Sequence, residues 1–143
     1  MSDLERAKAY LAEHPNATLV FVRGEEILSS ELKGVRPLLT FLEDGVSFQG
    51  GAVADRVVGR GAALLHACLN TETLYAEVMS KPAEEVLNYH GVKFSCGVLT
   101  EYIANRKNDG PCPMEEATRG ILDKAEGLKA IQNKLKELSQ KIN

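Results

Sequence analysis

The stretch from Gly51 to Leu69, GAVADRVVGRGAALLHACL, constrains the fold of this chain more than any other. Ala52-Val53-Ala54 is apolar without the alternation of a half-exposed strand. That predicts a short strand buried on both faces, as in a parallel sheet. Asp55 and Arg56 read as a turn, and Gly59-Arg60-Gly61-Ala62-Ala63 opens a helix over 59–69. Small residues there let a helix lie close to a sheet. In α/β proteins, turns at the carboxyl ends of parallel strands are where ligands bind. The same stretch therefore supplies a candidate site.

The remaining elements fall into order around this unit. Ser2 with Glu5 is a capping-box pattern, and Leu4, Ala7 and Leu11 share a helical face that His14-Pro15-Asn16 ends. His14 reads as an exposed residue near a helix end. Thr18–Val22 and Glu26–Ser29, joined by Arg23-Gly24-Glu25, predict a β-hairpin. Gly34-Val35-Arg36-Pro37 starts a helix with Val35, Leu38, Leu39, Leu42 and Val46 on one face. Beyond Leu69, Thr73–Met79 predicts a strand. Ser80 caps a helix with Pro82 in its first turn, His90-Gly91 closes it, and Val92–Ser95 is a last short strand. Hairpin, helix, strand, helix, strand, helix, strand predicts an α/β fold with parallel neighbours and helices on both faces of the sheet.

After that, Leu99 to Arg106 reads as a helix or an irregular segment, 105–110 as a polar loop, and Pro111-Cys112-Pro113 as a helix start. Leu128, Ile131, Leu135, Leu138 and Ile142 form a two-heptad apolar seam, with Gly127 as a kink or break before it. Such a seam packs a helix on its own domain or on a homodimer partner. The expected division is an α/β domain over 1–124 and an amphipathic helix over 125–143.

Composition removes several function classes. A net charge of −3 over 143 residues argues against binding a nucleic-acid backbone. No apolar run approaches the ~20 residues that span a membrane. Cys68, Cys96 and Cys112 form no regular framework and the start shows no signal-peptide pattern, so the expectation is reduced thiols in the cytoplasm.

In this order, the pieces resemble a small prokaryotic family of unknown function with a cytidine-deaminase-like fold. The resemblance runs from about Thr18 to about Leu122. It rests on Gly34-Val35-Arg36-Pro37-Leu38-Leu39, Ala52–Arg60, Tyr75-Ala76-Glu77-Val78, Asn105-Arg106 and Cys112-Pro113-Met114-Glu115. It implies a three-layer α/β/α fold, to which the first and last helices are additions. A zinc nucleobase deaminase needs His-x-Glu at one helix start and Pro-Cys-x-x-Cys at the next. Here those starts read Val58-Gly59-Arg60-Gly61 and Ser80-Lys81-Pro82-Ala83-Glu84-Glu85, without the ligands. The expectation is a zinc-free deaminase-like domain. His66 and Cys68, two apart on a helix, point to different faces; His66 reads as a helix-face residue, and Cys68 and Cys96 as small buried hydrophobes.

Three groups of residues carry candidate chemistry. At the Asp55–Gly61 turn, a phosphate would rest on the helix start at Gly59 and Gly61. Arg56 and Arg60 would add charge, and Asp55 would accept a ribose hydroxyl. The ligand would be a nucleotide or a derivative such as ADP-ribose. The competing reading is that the glycines serve close packing and the arginines are surface charges. Cys112, at a helix N-terminus with Glu115 at the third helical position, is a candidate nucleophile for a transferase or hydrolase. Its competing reading is a plain helix start. Glu77 sits in an apolar strand and either faces the pocket, pairs with an arginine or lies exposed. Asn105 and Arg106 either line the pocket or solvate a loop. A third use of the chain is a self-associating interaction module built on the seam.

Overall fold

The computed structural model describes residues 1 to 142 except 106 and 109, with side chains described as far as residue 140. The five strands are β1 (Leu19–Arg23), β2 (Glu26–Ser30), β3 (Ala52–Val58), β4 (Thr73–Ser80) and β5 (Lys93–Thr100), in one sheet of order β2-β1-β3-β4-β5. β1 is antiparallel to both β2 and β3, and β3, β4 and β5 are parallel. The helices among the described residues are α1 (Asp3–Glu13), α2 (Arg36–Glu43), α3 (Arg60–Cys68), α4 (Lys81–Tyr89), α5 (Pro113–Ala117) and α6 (Lys124–Ile142). This is a mixed α/β architecture.

Each face of the sheet has its own core. On one, Ala7 and Leu11 of α1 bury against Val20, Val22 and Ala54. On the other, Leu19, Phe21, Val53 and Leu74 meet Leu38 of α2, Leu64 and Leu65 of α3, and Leu87 of α4. β3 is the only strand of the three parallel ones that also pairs with the antiparallel hairpin. Its continuous apolar run follows from burial on both faces.

Local chemistry sets the helix ends. Glu5 N–H donates to Ser2 Oγ at 3.1 Å and Ser2 N–H donates back to Glu5 Oε1 at 3.3 Å, the expected capping box. The Ser2 backbone N–H and, next, the Ser2 hydroxyl donate to the Glu5 carboxylate and hold it below the usual carboxylate range. Ser80 Oγ accepts from Ala83 N–H at 3.2 Å at the start of α4. Gly59, the N-cap of α3, has no side chain to offer.

Two strands run longer than the sequence predicts. β3 continues through Asp55 and Arg56, expected as a turn, to Val58, because Asp55 pairs with Leu19 and Ala76, and Val57 and Val58 pair with Val78 and Met79. β5 starts at Lys93 and continues past Ser95 to Thr100, because Val98 and Leu99 pair with Val78 and Met79 of β4. Leu99 is thus in the strand, not in a helix or an irregular segment. Cys96-Gly97 interrupts the apolar pattern in sequence and hides this.

Gly127 does not break a helix. It lies inside α6, where a Cβ would sit 2.7 Å from Leu64 Cδ1 and 3.0 Å from Leu64 Cβ and Cγ. Glycine here lets α6 cross α3 backbone-close. The seam then packs onto the chain's own core: Ile131 is fully buried, and Leu128, Leu135 and Leu138 lie against it. The Ile142 side chain is outside the described residues. The seam thus packs on its own domain, one of its two expected settings, with Leu128, Leu135 and Leu138 left half-buried.

At an exposed helix position, Gly→Ala gains about 1 kcal/mol, whereas overpacking a tight contact costs about 1–3 kcal/mol. Gly127→Ala is therefore expected to lower stability by about 1 kcal/mol net, read as a lower urea midpoint at unchanged slope. A raised midpoint would mean that α6 does not press on Leu64.

Candidate functional site

A cavity of about 330 Å³ opens at the carboxyl end of β3. Its walls are mostly apolar: Leu19 from β1, Val35 and Leu38 at the start of α2, Ala62 of α3, then Ile103 and Met114 from the loop and helix that roof it. Val57, 46% exposed at the end of β3, faces the same space. The polar groups on the wall include Asp55, Cys112 and Glu115, with Lys33 exposed at the rim.

Asp55 is 8% exposed and is held from behind. His66 Nε2 lies 3.1 Å from Asp55 Oδ2, and His66 Nδ1 lies 3.1 Å from Thr71 Oγ1. His66 is fully buried and Thr71 nearly so. Facing a carboxylate, Nε2 carries the hydrogen and donates. In the neutral ring Nδ1 then accepts, and the Thr71 hydroxyl donates to it. The three side chains satisfy one another across the α3 side of the sheet.

The N-terminus of α3 is filled from within the chain. Glu115 Oε2 accepts the Arg60 backbone N–H at 3.4 Å, and Glu115 Oε1 accepts the Ile103 N–H at 2.5 Å. A carboxylate thus occupies the place where a phosphate was expected, and for the same reason: unpaired amides and the positive end of the helix dipole. The two glycines permit this approach. A Cβ on Gly59 would lie 3.1 Å from Glu115 Cγ, and one on Gly61 would lie 3.2 Å from Met114 Cβ. That matches their close-packing reading.

Neither arginine of the turn directs its guanidinium into the cavity. Arg60 is 3% exposed; its Nε donates to the Thr118 carbonyl at 2.9 Å and its Nη2 to the Ile121 carbonyl at 2.6 Å. Nη1 reaches the Pro82 carbonyl at 3.3 Å and Nη2 also reaches Glu85 at 3.3 Å. Arg56 turns to the other face. Its Nε donates to the Ala17 carbonyl at 2.9 Å, and its Nη2 to the carbonyls of Leu11 at 2.9 Å and His14 at 3.2 Å, closing the end of α1. Its Nη1 pairs with Glu77 Oε2 at 2.8 Å. Glu77 is therefore on the α1 side of the sheet and pairs with an arginine, one of its three expected settings. Arg56, Gly59 and Gly61 do line the cavity, while Glu115 holds the helix start and both guanidinium groups are held elsewhere.

The other candidates separate. Cys112 is half-buried, is the N-cap of α5, donates its N–H to the Ile103 carbonyl at 2.6 Å, and lines the cavity with Asp55. Asn105 closes the polar loop, its N–H donating to the Gly110 carbonyl at 2.8 Å, and does not line the cavity. Arg106 lies outside the described residues. Cys68 and Cys96 are half-buried rather than buried. The Cys68 thiol donates to the Lys124 carbonyl at 3.4 Å, and burial pushes its pKa up. Among the described residues no three His, Cys, Asp or Glu side chains come together as a metal site.

Sequence reasoning missed His66 and Thr71 as partners of Asp55, and missed that Glu115 reaches α3. One signal was present: His66 is the lone polar side chain in the Ala62–Leu69 run apart from the thiol of Cys68. Buried polar groups need partners.

Removing the Arg60 guanidinium strands the buried Thr118 carbonyl and the half-buried carbonyls of Ile121 and Pro82. Each unsatisfied group costs about 1–3 kcal/mol, so Arg60→Met is expected to lose on the order of 3 kcal/mol in urea unfolding. A loss under about 0.5 kcal/mol, typical of a surface substitution, would contradict this placement.

Among curated proteins none matches the chain. Its structure is similar to the crystal structure of a DUF1893 family protein (TM1506) from Thermotoga maritima, with a TM-score of 0.84 and 24% sequence identity, covering 94% of this chain and 91% of that one. That likeness shows the fold. The family model TM1506, domain of unknown function (DUF1893), matches residues 6–135. The match takes in most of α1 and α6 up to Leu135, beyond the Thr18–Leu122 span of the resemblance. On the extent of that match, the chain belongs to the DUF1893 family.

Proposed function

We propose that this domain binds a small nucleoside-type ligand, free or as part of a nucleotide derivative such as ADP-ribose, in the cavity at the carboxyl end of β3. The observation that carries this is Asp55, a nearly buried carboxylate on an otherwise largely apolar wall, with one oxygen fixed by His66. A concave, mostly apolar space with a few placed polar groups is what small-molecule sites look like, and the volume lies within their range. Its place at the end of a central parallel strand supports the same reading. The base or sugar enters the cavity. A phosphate, where present, stays outside near Lys33, because Glu115 holds the start of α3. The deaminase-like reading of the fold rests on the sequence resemblance, and without the His-x-Glu and Cys pattern it brings no hydrolytic zinc chemistry.

Titrating adenosine, uridine and ADP-ribose into the full chain, followed by amide NMR, tests the proposal. The expected result is shifts at Asp55, Ala62 and Ile103 for at least one of them, with affinity falling at least about tenfold (~1.4 kcal/mol) in Asp55→Ala. Unmoved cavity amides with all three would sink it.

A second reading keeps Cys112 as a nucleophile, favoured by its sharing the cavity with Asp55. It predicts that iodoacetamide labels Cys112 before Cys68 near neutral pH. A raised thiol pKa leaves less thiolate at a given pH, so Cys68 should lag most near neutrality and catch up as the pH rises. Equal rates at pH 7, read by peptide mapping, would remove this reading.

A further inference from the structure

We infer that the ligand presents a nitrogen donor, an amino or ammonium group, to Asp55, and that the cavity discriminates against anions. This rests on the reading that the cavity takes a small ligand, and it reverses the charge expected of that ligand at the turn.

The first support is the unequal use of the two Asp55 oxygens. His66 occupies Oδ2, and among the described residues no donor reaches Oδ1. No fully buried side-chain oxygen among the described residues lacks a partner. Oδ1 therefore keeps access to the space that Asp55 lines. An imidazole donates to Oδ2 through Nε2–H whether it is neutral or protonated, so Asp55 remains an acceptor in both states. His66, fully buried and tied to Thr71, is a positioning residue for that oxygen.

The second support is the charge around the cavity. Glu115, 7% exposed, puts a second carboxylate on the wall, and both of its oxygens rest on backbone N–H groups. Among the described residues no Lys or Arg side chain pairs with Asp55 or Glu115; Arg56 pairs with Glu77 and Arg60 with Glu85. Two cationic residues among those described also line the cavity: Lys33, at the exposed rim where water and salt screen it, and Arg56, whose guanidinium is held by Glu77 and the end of α1. Two carboxylates between apolar walls make the space negative, and low polarity strengthens the effect. A donor nitrogen on Oδ1 forms a charge-assisted hydrogen bond. A carboxylate, phosphate or carbonyl there meets lone pairs and leaves Oδ1 unpaired.

The test uses three probes of one shape, benzylammonium, benzyl alcohol and benzoate, titrated into the full chain by amide NMR. Benzylammonium should shift the cavity amides with at least about tenfold tighter binding than benzoate, with benzyl alcohol between them. Asp55→Asn, which can keep the His66 contact and turn an NH₂ into the cavity, should erase or invert that order. Benzoate binding as well as benzylammonium in the unmodified protein would overturn the inference, whether or not the variant folds. So would an order unchanged in a folded Asp55→Asn. If nucleosides shift the cavity amides but the three probes show no charge order, the inference falls and the binding reading stands. If neither nucleosides nor probes shift them, both fall.

Discussion

The set of hydrogen bonds that Arg60 donates to the 115–121 segment holds the cavity's roof together. Arg60 gives its backbone N–H to the Glu115 carboxylate and its guanidinium to the carbonyls of Thr118 and Ile121. One residue at the start of α3 thus anchors both α5 and the turn leading into α6. A guanidinium suits this position because its donors form a rigid planar fork and it is weakly hydrated for a cation. The Thr118 carbonyl is buried and those of Ile121 and Pro82 half-buried, and Arg60 gives each a donor. The roof of the cavity, Ile103 through Met114, is positioned by the same set, since Glu115 also holds the Ile103 N–H.

Arg56 plays the corresponding part on the opposite face. It reaches the last carbonyls of α1 and pairs with Glu77 of β4, tying the helix to the two central strands. The two arginines of one turn therefore join the layers on either side of the sheet. That leaves neither guanidinium free at the strand end between them, although the sequence places two there. The acidic character of the cavity follows from this use of the arginines, since Asp55 and Glu115 remain on its wall.

Most elements were legible because their signals are local. The capping box at Ser2 and Glu5, the Ser80 cap, and the apolar runs of β1, β3 and β4 each declare themselves within a few residues. The cavity lies at the strand-to-helix junction that the sequence marks for the same reason. The roles at the site were not legible. Arg60 meets partners 58 and 61 residues away, and Arg56 meets one 45 residues away. No periodicity encodes such a meeting. Gly59, Gly61 and Gly127 show the same limit, because a phosphate cradle and a close helix approach ask for the same residue. Only the neighbour distinguishes them, and here the neighbours are Glu115, Met114 and Leu64.

The Asp55–His66–Thr71 chain is the feature that packing alone does not require. Replacing a buried polar group and its partners by apolar side chains of similar shape is often neutral or stabilising. Every other buried charge near the turn serves the fold directly, since Arg60 joins elements and Glu115 closes a helix. The Asp55 trio joins β3 to α3 and to the residue just beyond it, contacts that Val53, Leu64 and Leu65 already make through the core. Its distinct product is a carboxylate oxygen kept at a fixed place on an apolar wall. In the binding we propose, the buried histidine and threonine hold that oxygen for a ligand that meets it from the other side.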